Sequence, residues 1–385
     1  MPSRDQRVLQ VLQAPQRRGA ETFALQLSTE LRHQSWESTI ISLFPGDPRF
    51  VRTAEAAGVW AGTLSDHPSA KRLSLTLVRA IADRIAAAGE PVVQANGAAT
   101  LKYLATARLL TRGRWPLVYR TIGMPSYWRR DPFRNTVYRW WFRQADLVVA
   151  VCQRAATELI ELVRLPARQV TVIPNGVDAV PFLTRSVGVR ARVRAEARVL
   201  PGELVLAHVG SLSPEKNHIA LIRVAAALRD RGIRARVWLI GDGPQRAAIE
   251  TAIREARMEE QCWLAGNSSE VADLLAGADL LVLPSLTEGM PAAAIEAGLS
   301  GLPVVAYDVG GIGEVVENGR TGLLVPAGDE AALLDAVARL AADGEARETF
   351  GGAARAACRA FEISRVAAQY AEMYARLRNG HGVNR

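Results

Sequence analysis

The chain has 385 residues, of which 49% are hydrophobic and 22% are charged, and its formal net charge is +8 at pH 7. This length predicts two domains with a full core each, and the composition is that of a soluble globular protein. No apolar stretch approaches the ~18 residues of a membrane-spanning helix and no signal-peptide pattern opens the chain, so we expect a cytoplasmic location.

Charge is distributed unevenly along the chain. Residues 1–185 contain 25 Lys and Arg against 14 Asp and Glu, whereas the remainder contains 22 against 25. A basic first half indicates that one domain meets anionic material, such as a membrane surface or an anionic lipid-linked molecule. Nucleic acid is disfavoured as a partner because no nucleic-acid-binding module is recognisable.

The first half alternates short β-branched runs with helical stretches, as in βα units around a parallel sheet. We predict strands at Val8–Leu12, Ser38–Leu43, Pro91–Gln94, Leu117–Arg120, Leu147–Val151 and Val170–Ile173. We predict helices at Glu21–Gln34, Leu73–Ala88, Thr100–Leu110, Asn135–Ala145 and Arg154–Val163. The turn at Pro174-Asn-Gly then marks the joint between two domains.

The second half repeats the same alternation. We predict strands at Leu204–Val209, Ala235–Ile240, Cys262–Leu264, Leu280–Leu283, Pro303–Ala306 and Gly322–Val325. We predict helices at His218–Arg231, Pro244–Glu255, Val271–Ala276, Pro291–Leu299, Ile312–Glu317, Glu330–Asp343 and Phe361–Arg378. The expected domains are residues 1–180 and 181–360, with the terminal helix (361–380) packing back on the first.

Two glutamates, Glu288 and Glu296, flank a glycine-containing loop and the helix predicted to open at Pro291. A helix amino terminus presents unpaired N–H groups and a positive dipole end, which suit a phosphate. A carboxylate on either side would accept hydrogen bonds from hydroxyl groups that flank that phosphate. Two glutamates at this spacing arise by chance about once in a chain of this length, so the surrounding motifs decide their meaning.

Those motifs are Val209-Gly-Ser-Leu-Ser-Pro-Glu-Lys-Asn217, Leu239-Ile-Gly-Asp-Gly-Pro244, Gly301-Leu-Pro-Val-Val-Ala-Tyr-Asp-Val-Gly-Gly311 and Asn318-Gly-Arg-Thr-Gly-Leu-Leu-Val-Pro326. Together with the two glutamates, they resemble the retaining glycosyltransferases of family 4 between Val170 and Pro326. The resemblance implies the α/β GT-B fold, in which two Rossmann-like domains place parallel sheets around a central cleft.

The resemblance also implies the roles of individual residues in binding a nucleotide-sugar donor. Glu288 would hold sugar hydroxyls, Glu296 the ribose hydroxyls, and Lys216 the diphosphate charge that develops on the leaving group. We expect Glu288 and Lys216 to be the catalytic residues. The remaining donor-binding candidates are Ser211, Asn217, Gly289, Met290, Ala292, Ala293, Gly266 and Asn267.

Two positions depart from the family pattern. Ser211 stands where members usually carry an Arg on the diphosphate, and a hydroxyl cannot neutralise charge. The family's histidine after the fourth strand is also missing, because Ile122 lies nearest to its position. Arg120 and Thr121 are the acceptor-side candidates in its place, and Gly19, in a loop similar to the family's Gly-Gly-Ala-Glu, is a third.

No metal ion and no cofactor are expected, because the chain has no Asp-x-Asp pair of the kind that metal-dependent glycosyltransferases use. The three cysteines, Cys152, Cys262 and Cys358, lack metal-binding or redox spacing, so we expect free thiols. The basic, Trp-bearing segment Tyr127–Arg143 suits either a membrane interface or a packed helix with solvated arginines.

The leading interpretation is a retaining, metal-independent glycosyltransferase that uses a nucleotide-diphosphate donor, with UDP-sugar favoured. Its acceptor would be a polysaccharide, a lipid-linked sugar or a small molecule. One alternative is an epimerase or phosphorylase on the same fold. A second is a non-catalytic nucleotide-sugar-binding subunit, for which Ser211 and the missing histidine are the motivation.

Overall fold

The computed structural model describes residues 6–68, 73–128, 132–184 and 187–383. The chain divides into two compact units: the first comprises the residues up to Val177 together with those from Ile363 onward, and the second comprises Asp178–Glu362. Within the described residues, no helix is both long and apolar enough to cross a membrane.

The first unit is built on a parallel sheet with seven strands in its described part. Their order across the sheet is β3-β2-β1-β4-β5-β6-β7, so the chain starts near the middle and later returns to it. The strands are β1 (Arg7–Leu12), β2 (Glu37–Ser42), β3 (Trp60–Thr63), β4 (Val92–Asn96), β5 (Leu117–Arg120), β6 (Leu147–Ala150) and β7 (Val170–Val172).

Helices connect these strands and cover the sheet. They are α1 (Gly19–His33), α2 (Pro48–Ala56), α3 (Leu75–Ala87), α4 (Ala98–Thr111), α5 (Pro125–Trp128), α6 (Pro132–Phe142) and α7 (Gln153–Glu161). Side-chain caps start several of them: the Asp47 carboxylate accepts a hydrogen bond from the Arg49 amide, and the Ser74 hydroxyl accepts one from the Leu77 amide. Such caps satisfy amides that have no intrahelical partner.

The second unit holds a parallel sheet with six strands among its described residues, in the order β10-β9-β8-β11-β12-β13. The strands are β8 (Leu204–Val209), β9 (Ala235–Ile240), β10 (Cys262–Gly266), β11 (Leu280–Leu283), β12 (Val304–Tyr307) and β13 (Gly322–Val325). The helices are α8 (Val180–Leu183), α9 (Val189–Glu196), α10 (His218–Asp230), α11 (Arg246–Glu255), α12 (Val271–Gly277), α13 (Ala292–Leu299), α14 (Glu330–Ala342) and α15 (Gly344–Cys358).

The last helix, α16 (Ile363–Val383), belongs to the first unit. Its buried residues Val366, Tyr370 and Tyr374 share a core cluster with Phe23 and Leu27 of α1 and with strand residues of the first sheet. The chain therefore completes the core of its first unit only after the second unit has been made.

A buried polar network fastens α16 to the sheet. The Tyr374 hydroxyl donates to the Gln94 side-chain oxygen at 2.6 Å and accepts from the Gln10 amide at 3.2 Å, and the Asn96 amide donates to Gln10 at 2.9 Å. These four side chains are at most 5% exposed. Because a buried polar group is costly without a partner, the network fixes the position of the helix on the sheet.

The predicted α/β class with two parallel sheets is confirmed, and all six strands predicted in the second half are present. The prediction missed β3, α2 and the short α5 in the first unit, and the short α8, α9 and α15 in the second. It was also wrong about a helix at Ile312–Glu317, where the chain makes only a 3-10 turn at Ile312–Glu314. The three cysteines are free, as expected.

Candidate functional site

Two loops at the carboxyl ends of neighbouring strands form the candidate site in the second unit. Strand β8 pairs in parallel with β11, so residues 210–217 and residues 284–291 follow the strands at the same edge of the sheet. The Leu286 amide donates to the Glu215 carbonyl at 2.8 Å and ties the two loops together. Parallel α/β sheets bind their ligands at this edge.

Lys216 and Glu288, the two predicted catalytic residues, are in direct contact. Lys216 Nζ lies 2.6 Å from Glu288 Oε1, and the two side chains are 21% and 7% exposed. Lys216 ends a 3-10 turn, and Asn217 follows in the left-handed region at φ 52°, which asparagine tolerates better than most residues. A charge-assisted hydrogen bond in so enclosed a place is among the stronger interactions in proteins.

Helix α13 starts one residue later than predicted. Pro291 is its cap, with ψ 115° in the extended region, and the first helical residue is Ala292. The physical reason is that the fixed ring of proline suits extended backbone as readily as a first helical turn. The amides of Ala292 and Ala293 therefore stand at the open end of the helix, beside the loop that carries Glu288, Gly289 and Met290.

Glu296 lies on α13, partly buried, one turn beyond the start of the helix. Loss of solvent raises the pKa of its carboxyl to about 7. This carboxyl therefore titrates near neutral pH. The site carries one carboxylate that is ion-paired, Glu288, and one whose charge depends on the conditions.

Two glycines in a neighbouring turn allow that turn to pack closely against the loop of residues 210–217. A Cβ on Gly241, whose φ is 145°, would come within 1.9 Å of the Gly210 carbonyl oxygen, and one on Gly243 within 2.6 Å of the Leu212 carbonyl oxygen. The Leu212 amide donates to the Asp242 carbonyl at 3.1 Å. The Gly241-Asp-Gly243 turn thus packs against the loop that contains Ser211, which is partly buried.

The remaining donor-binding candidates lie farther along the same edge. Gly266 ends β10 with φ 67°, and its carbonyl accepts a hydrogen bond from the Gly241 amide at 2.9 Å. Asn267, the next residue, is exposed. They lie at the end of β10, an outer strand of the sheet that β9 separates from β8. The structure thus places them at the edge that holds Lys216, without joining them to the Lys216–Glu288 pair.

The sequence-based prediction missed a pair of histidines beneath this loop. His208 on β8 and His218 at the start of α10 are at most 1% exposed, and their ring centroids lie 4.4 Å apart. The Nδ1 atom of His208 is 2.8 Å from the Val282 carbonyl, which requires a proton on that nitrogen. Burial lowers the pKa of His218 to about 4 and that of His208 well below its usual value. The signal in the sequence was a polar residue within the strand Leu-Val-Leu-Ala-His-Val.

The acceptor-side candidates lie in the first unit. Arg120 is 1% exposed, its guanidinium stacks 3.9 Å from the centroid of the Phe23 ring, and it donates to the Asn175 side chain. Burial lowers its pKa, an effect that Tyr370 and Glu21 oppose. Thr121 is fully buried. Gly19 is exposed at the first position of α1, with nothing near its missing side chain. The structure thus places Arg120 in the interior of the unit.

Among the described residues, no group of three or more His, Cys, Asp or Glu side chains is placed to hold a metal ion. The only positive charge in direct contact with the predicted catalytic carboxylate there is the Lys216 ammonium.

Two family models match the chain. The model described as Glycosyltransferase Family 4 matches residues 17–180, and the one described as Glycosyl transferases group 1 matches residues 189–357. The first covers most of the first unit and the second most of the second, and both describe glycosyltransferases. The chain belongs to glycosyltransferase family 4.

Curated relatives of this family 4 member include an N-acetyl-alpha-D-glucosaminyl L-malate synthase from Bacillus anthracis, 28% identical over 63% of this chain and 63% of the relative. A D-inositol 3-phosphate glycosyltransferase from Nocardia farcinica is 37% identical over 60% of this chain and 52% of the relative. The chain thus spans between about half and just under two thirds of the length of these relatives.

Solved structures of the same fold match nearly the whole chain. HepE of Anabaena, in complex with UDP and glucose, superimposes with a TM-score of 0.84 at 24% identity, covering 96% of this chain and 99% of that one. A sucrose-phosphate synthase from Thermosynechococcus elongatus gives 0.81 at 22% identity, covering 97% and 99%. These likenesses show that the family 4 member has the GT-B fold.

Proposed function

We propose that this family 4 member transfers a sugar from a nucleoside-diphosphate donor to an acceptor, with retention of configuration and without a metal ion. UDP-sugar is the favoured donor, since HepE is described in complex with UDP-glucose. The observation that carries the proposal is the 2.6 Å contact between Lys216 and Glu288 beside the open end of α13.

The contact suggests how donor binding proceeds. In the free protein the Lys216 ammonium is neutralised by Glu288. A diphosphate at the amino terminus of α13 competes for the ammonium, because it carries more negative charge than one carboxylate and also accepts from the helix amides. Glu288 is then released to accept hydrogen bonds from sugar hydroxyls. Donor binding thus replaces the Lys216–Glu288 ion pair by contacts of Lys216 with the diphosphate and of Glu288 with the sugar.

Lys216 has an electrostatic role in the transfer itself. As the bond between the sugar and the diphosphate breaks, negative charge builds up on the leaving phosphate, and a cation held there stabilises the transition state. Ser211 adds no charge, so this stabilisation rests on Lys216 and the amides of α13. Neither Glu288 nor Glu296 acts as a nucleophile in this scheme, and the leaving phosphate assists deprotonation of the acceptor.

The acceptor is proposed to be a carbohydrate, a lipid-linked sugar or a small molecule that carries negative charge. Residues 1–185 hold an excess of 11 positive charges, which favours an anionic acceptor. The names of the relatives point the same way, since L-malate and D-inositol 3-phosphate are both anionic.

Thermal unfolding in the presence of UDP, GDP, ADP and dTDP, each with and without a chelator, tests the donor site. A ligand that binds only the folded state raises the unfolding midpoint. We expect UDP to give the largest rise and the chelator to leave it unchanged. A rise that requires a divalent cation would refute the metal-free proposal, and no rise with any nucleotide would refute the donor site.

Donor turnover in Glu288→Gln and Lys216→Ala variants tests the catalytic roles, with Glu255→Gln on the exposed surface of α11 as the matched control. We expect the two site variants to lose at least about a hundredfold in kcat and the control to keep its activity. Unchanged turnover in the site variants would favour the non-catalytic interpretation. Product that forms from the donor alone, without any acceptor, would instead indicate an epimerase.

A further inference from the structure

Three segments of the first unit meet at the amino-terminal edge of its sheet. Residues 108–114 precede β5, residues 139–146 precede β6 and residues 162–169 precede β7. Arg108 Nη1 donates to the Gln144 carbonyl at 3.0 Å, Arg143 Nη2 to the Arg164 carbonyl at 3.4 Å, and Gln169 Nε2 to the Phe142 carbonyl at 3.1 Å. These hydrogen bonds join the three segments into one surface, which we call the basic face.

The basic face carries seven arginines and one acid. The acid is Asp146, which binds Arg108 through two hydrogen bonds of 2.7 and 3.0 Å and is thereby neutralised. A further exposed acid, Glu161, lies just outside the face. The exposed arginines of the face are Arg112, Arg114, Arg143, Arg164 and Arg168. The surface is therefore strongly positive.

Large apolar side chains stand exposed among these arginines. Leu110 is 65% exposed, Leu109 47%, Trp140 49% and Leu162 39%. Single exposed apolar residues are common on soluble proteins, but a group of them within a region of one charge marks an interaction surface. Tyr138 and Phe142, also on α6, stack on each other instead, so Trp140 is the aromatic residue that this part of the helix leaves in solvent.

A cavity of about 1050 Å³ opens beside the basic face. Its walls combine Arg114 and Arg168 with apolar residues of β7 and α16, among them Val170, Val172, Met373 and Leu377. Two acids also line it, Asp146 and Glu372, and these are paired with Arg108 and Arg376. Arg114 and Arg168 make no ion pair or side-chain hydrogen bond in the described part of the chain. Their guanidinium groups are therefore available to an anionic ligand whose remaining part is apolar.

We propose that the basic face docks on the surface of an anionic lipid bilayer. Phosphate headgroups would pair with the exposed arginines, while Trp140, Leu109 and Leu110 enter the boundary between headgroups and acyl chains. The cavity would hold one anionic lipid, its phosphate on Arg114 and Arg168. The exposed leucines favour a bilayer over a nucleic acid, because a sugar-phosphate backbone has no apolar region in which they could be buried.

Docking through this face leaves the opposite, carboxyl edge of the first sheet free. That edge is where parallel sheets bind their ligands, so an acceptor in solution can reach it while the protein stays on the membrane. The inference rests on the proposed function only for the nature of that acceptor. Membrane binding itself is independent of donor binding.

Flotation of the full-length protein with phosphatidylcholine vesicles, with and without phosphatidylglycerol, tests the proposal. We expect binding only to the vesicles that contain phosphatidylglycerol, and weaker binding as salt rises. Replacing both Arg114 and Arg168 by Ser should weaken that binding about tenfold or more, since each basic residue near an anionic surface contributes independently. Leu110→Ser should weaken it further at high salt, where the apolar contact remains.

The matched controls lie elsewhere on the same unit. Arg49→Ser with Arg52→Ser removes two exposed charges from α2, which lies beside β3 at the other end of the sheet, and Leu75→Ser removes an equally exposed leucine. These variants should bind vesicles like the unaltered protein. The proposal would be overturned if the control variants lost as much vesicle binding as the variants of the basic face. It would also be overturned if the protein bound neither kind of vesicle, or if it bound a DNA duplex in preference to vesicles. UDP-induced thermal stabilisation, measured on the same samples, reports separately on the donor site.

Discussion

Lys216 and Glu288 hold opposite charges in a largely enclosed part of the second unit, and each is the other's partner in the free protein. Removing one partner leaves a buried charge without compensation, whereas removing both leaves none. We therefore expect Lys216→Met to destabilise the fold clearly, and Lys216→Met with Glu288→Gln to cost less than the two single changes added together. Urea unfolding of the four proteins should give a coupling free energy of about 1 to 3 kcal/mol.

Arg223 and Glu330 form an exposed ion pair in the same unit and provide the comparison for that cycle. Exposed pairs contribute only about 0 to 1 kcal/mol, so a cycle on Arg223→Met and Glu330→Gln should give a small coupling. Additive effects at Lys216 and Glu288 would contradict the pairing.

We expect Glu296 to make stability and nucleotide binding depend on pH. Its raised pKa means that the folded protein holds this proton more tightly than the unfolded chain. The contribution to stability is therefore full below the unfolded pKa and is lost as pH rises to about 7. At pH 8 Glu296→Gln should be more stable than the unaltered protein by about 1 kcal/mol or more, and the difference should shrink toward pH 5. Urea unfolding at both pH values measures it.

The same carboxyl should couple nucleotide binding to pH. Ribose hydroxyls donate to a carboxylate, so UDP should bind more tightly as pH rises from 6 to 8, and Glu296→Gln should remove this dependence. Calorimetric titration with UDP checks it. A dependence that survives in Glu296→Gln would place the titrating group elsewhere.

At the scale of elements, the Gly241-Asp-Gly243 turn determines where the Ser211–Lys216 loop can lie. A side chain on Gly241 would collide with the Gly210 carbonyl, and its φ of 145° is unfavourable for any other residue. We expect Gly241→Ala to destabilise the protein by about 2 kcal/mol or more and to weaken UDP binding.

Gly352 in α15 is the control for that change, because nothing lies within 4 Å of its missing side chain and its φ is not in the left-handed region. Gly352→Ala should stabilise the protein by roughly 0.5 to 1 kcal/mol through its helix propensity. If both substitutions change the free energy of unfolding in the same direction, the collision with the Gly210 carbonyl does not explain the effect of Gly241→Ala. Thermal unfolding and UDP titration of both variants decide between these outcomes.

The sequence predicted the strands of the second unit better than those of the first for a physical reason. Its strands are continuous apolar runs such as Leu280–Leu283, buried on both faces, and glycines punctuate them. By contrast, β3 reads Trp-Ala-Gly-Thr at the edge of its sheet, where burial is partial and no apolar run is required. Helix α9 reads Val-Arg-Ala-Arg-Val-Arg-Ala-Glu, in which only Val189 and Val193 face the core, so its sequence does not show the apolar stripe that predicts a helix.

The candidate site was only partly accessible to the same reasoning. Residue types and position drew attention to Lys216, Glu288 and Glu296, but the surrounding motifs and the family that they resemble were needed to assign them to a donor site. The 2.6 Å contact between Lys216 and Glu288 depends on the pairing of β8 with β11, two strands that lie more than seventy residues apart in the chain. Such long-range pairing, like the contact between His208 and His218, follows from the topology of the sheet rather than from local pattern.

At the scale of the whole molecule, the first unit depends on both ends of the chain. Val366, Tyr370 and Tyr374 of α16 fill the same core cluster as Phe23 and Leu27 of α1, and the Tyr374 hydroxyl joins the buried network of Gln10 and Gln94. A chain that ends at Glu362 would leave those apolar faces and two glutamines exposed. We expect this truncation to unfold or aggregate the first unit, because the lost burial amounts to several large side chains.

The second unit contains Lys216, Glu288 and Glu296 within its own boundaries, so it should remain folded in that truncated chain. Hydrogen exchange resolved by peptide should show protection lost across β1, β4 and α1 but kept across β8 and β11. Tyr374→Phe in the full-length chain is the milder control: it removes one hydroxyl from the network and should cost about 1 to 3 kcal/mol while both units stay folded. Protection retained throughout the first unit after truncation would mean that α16 is dispensable to its core. Protection lost in both units would mean that the second unit cannot fold without the first.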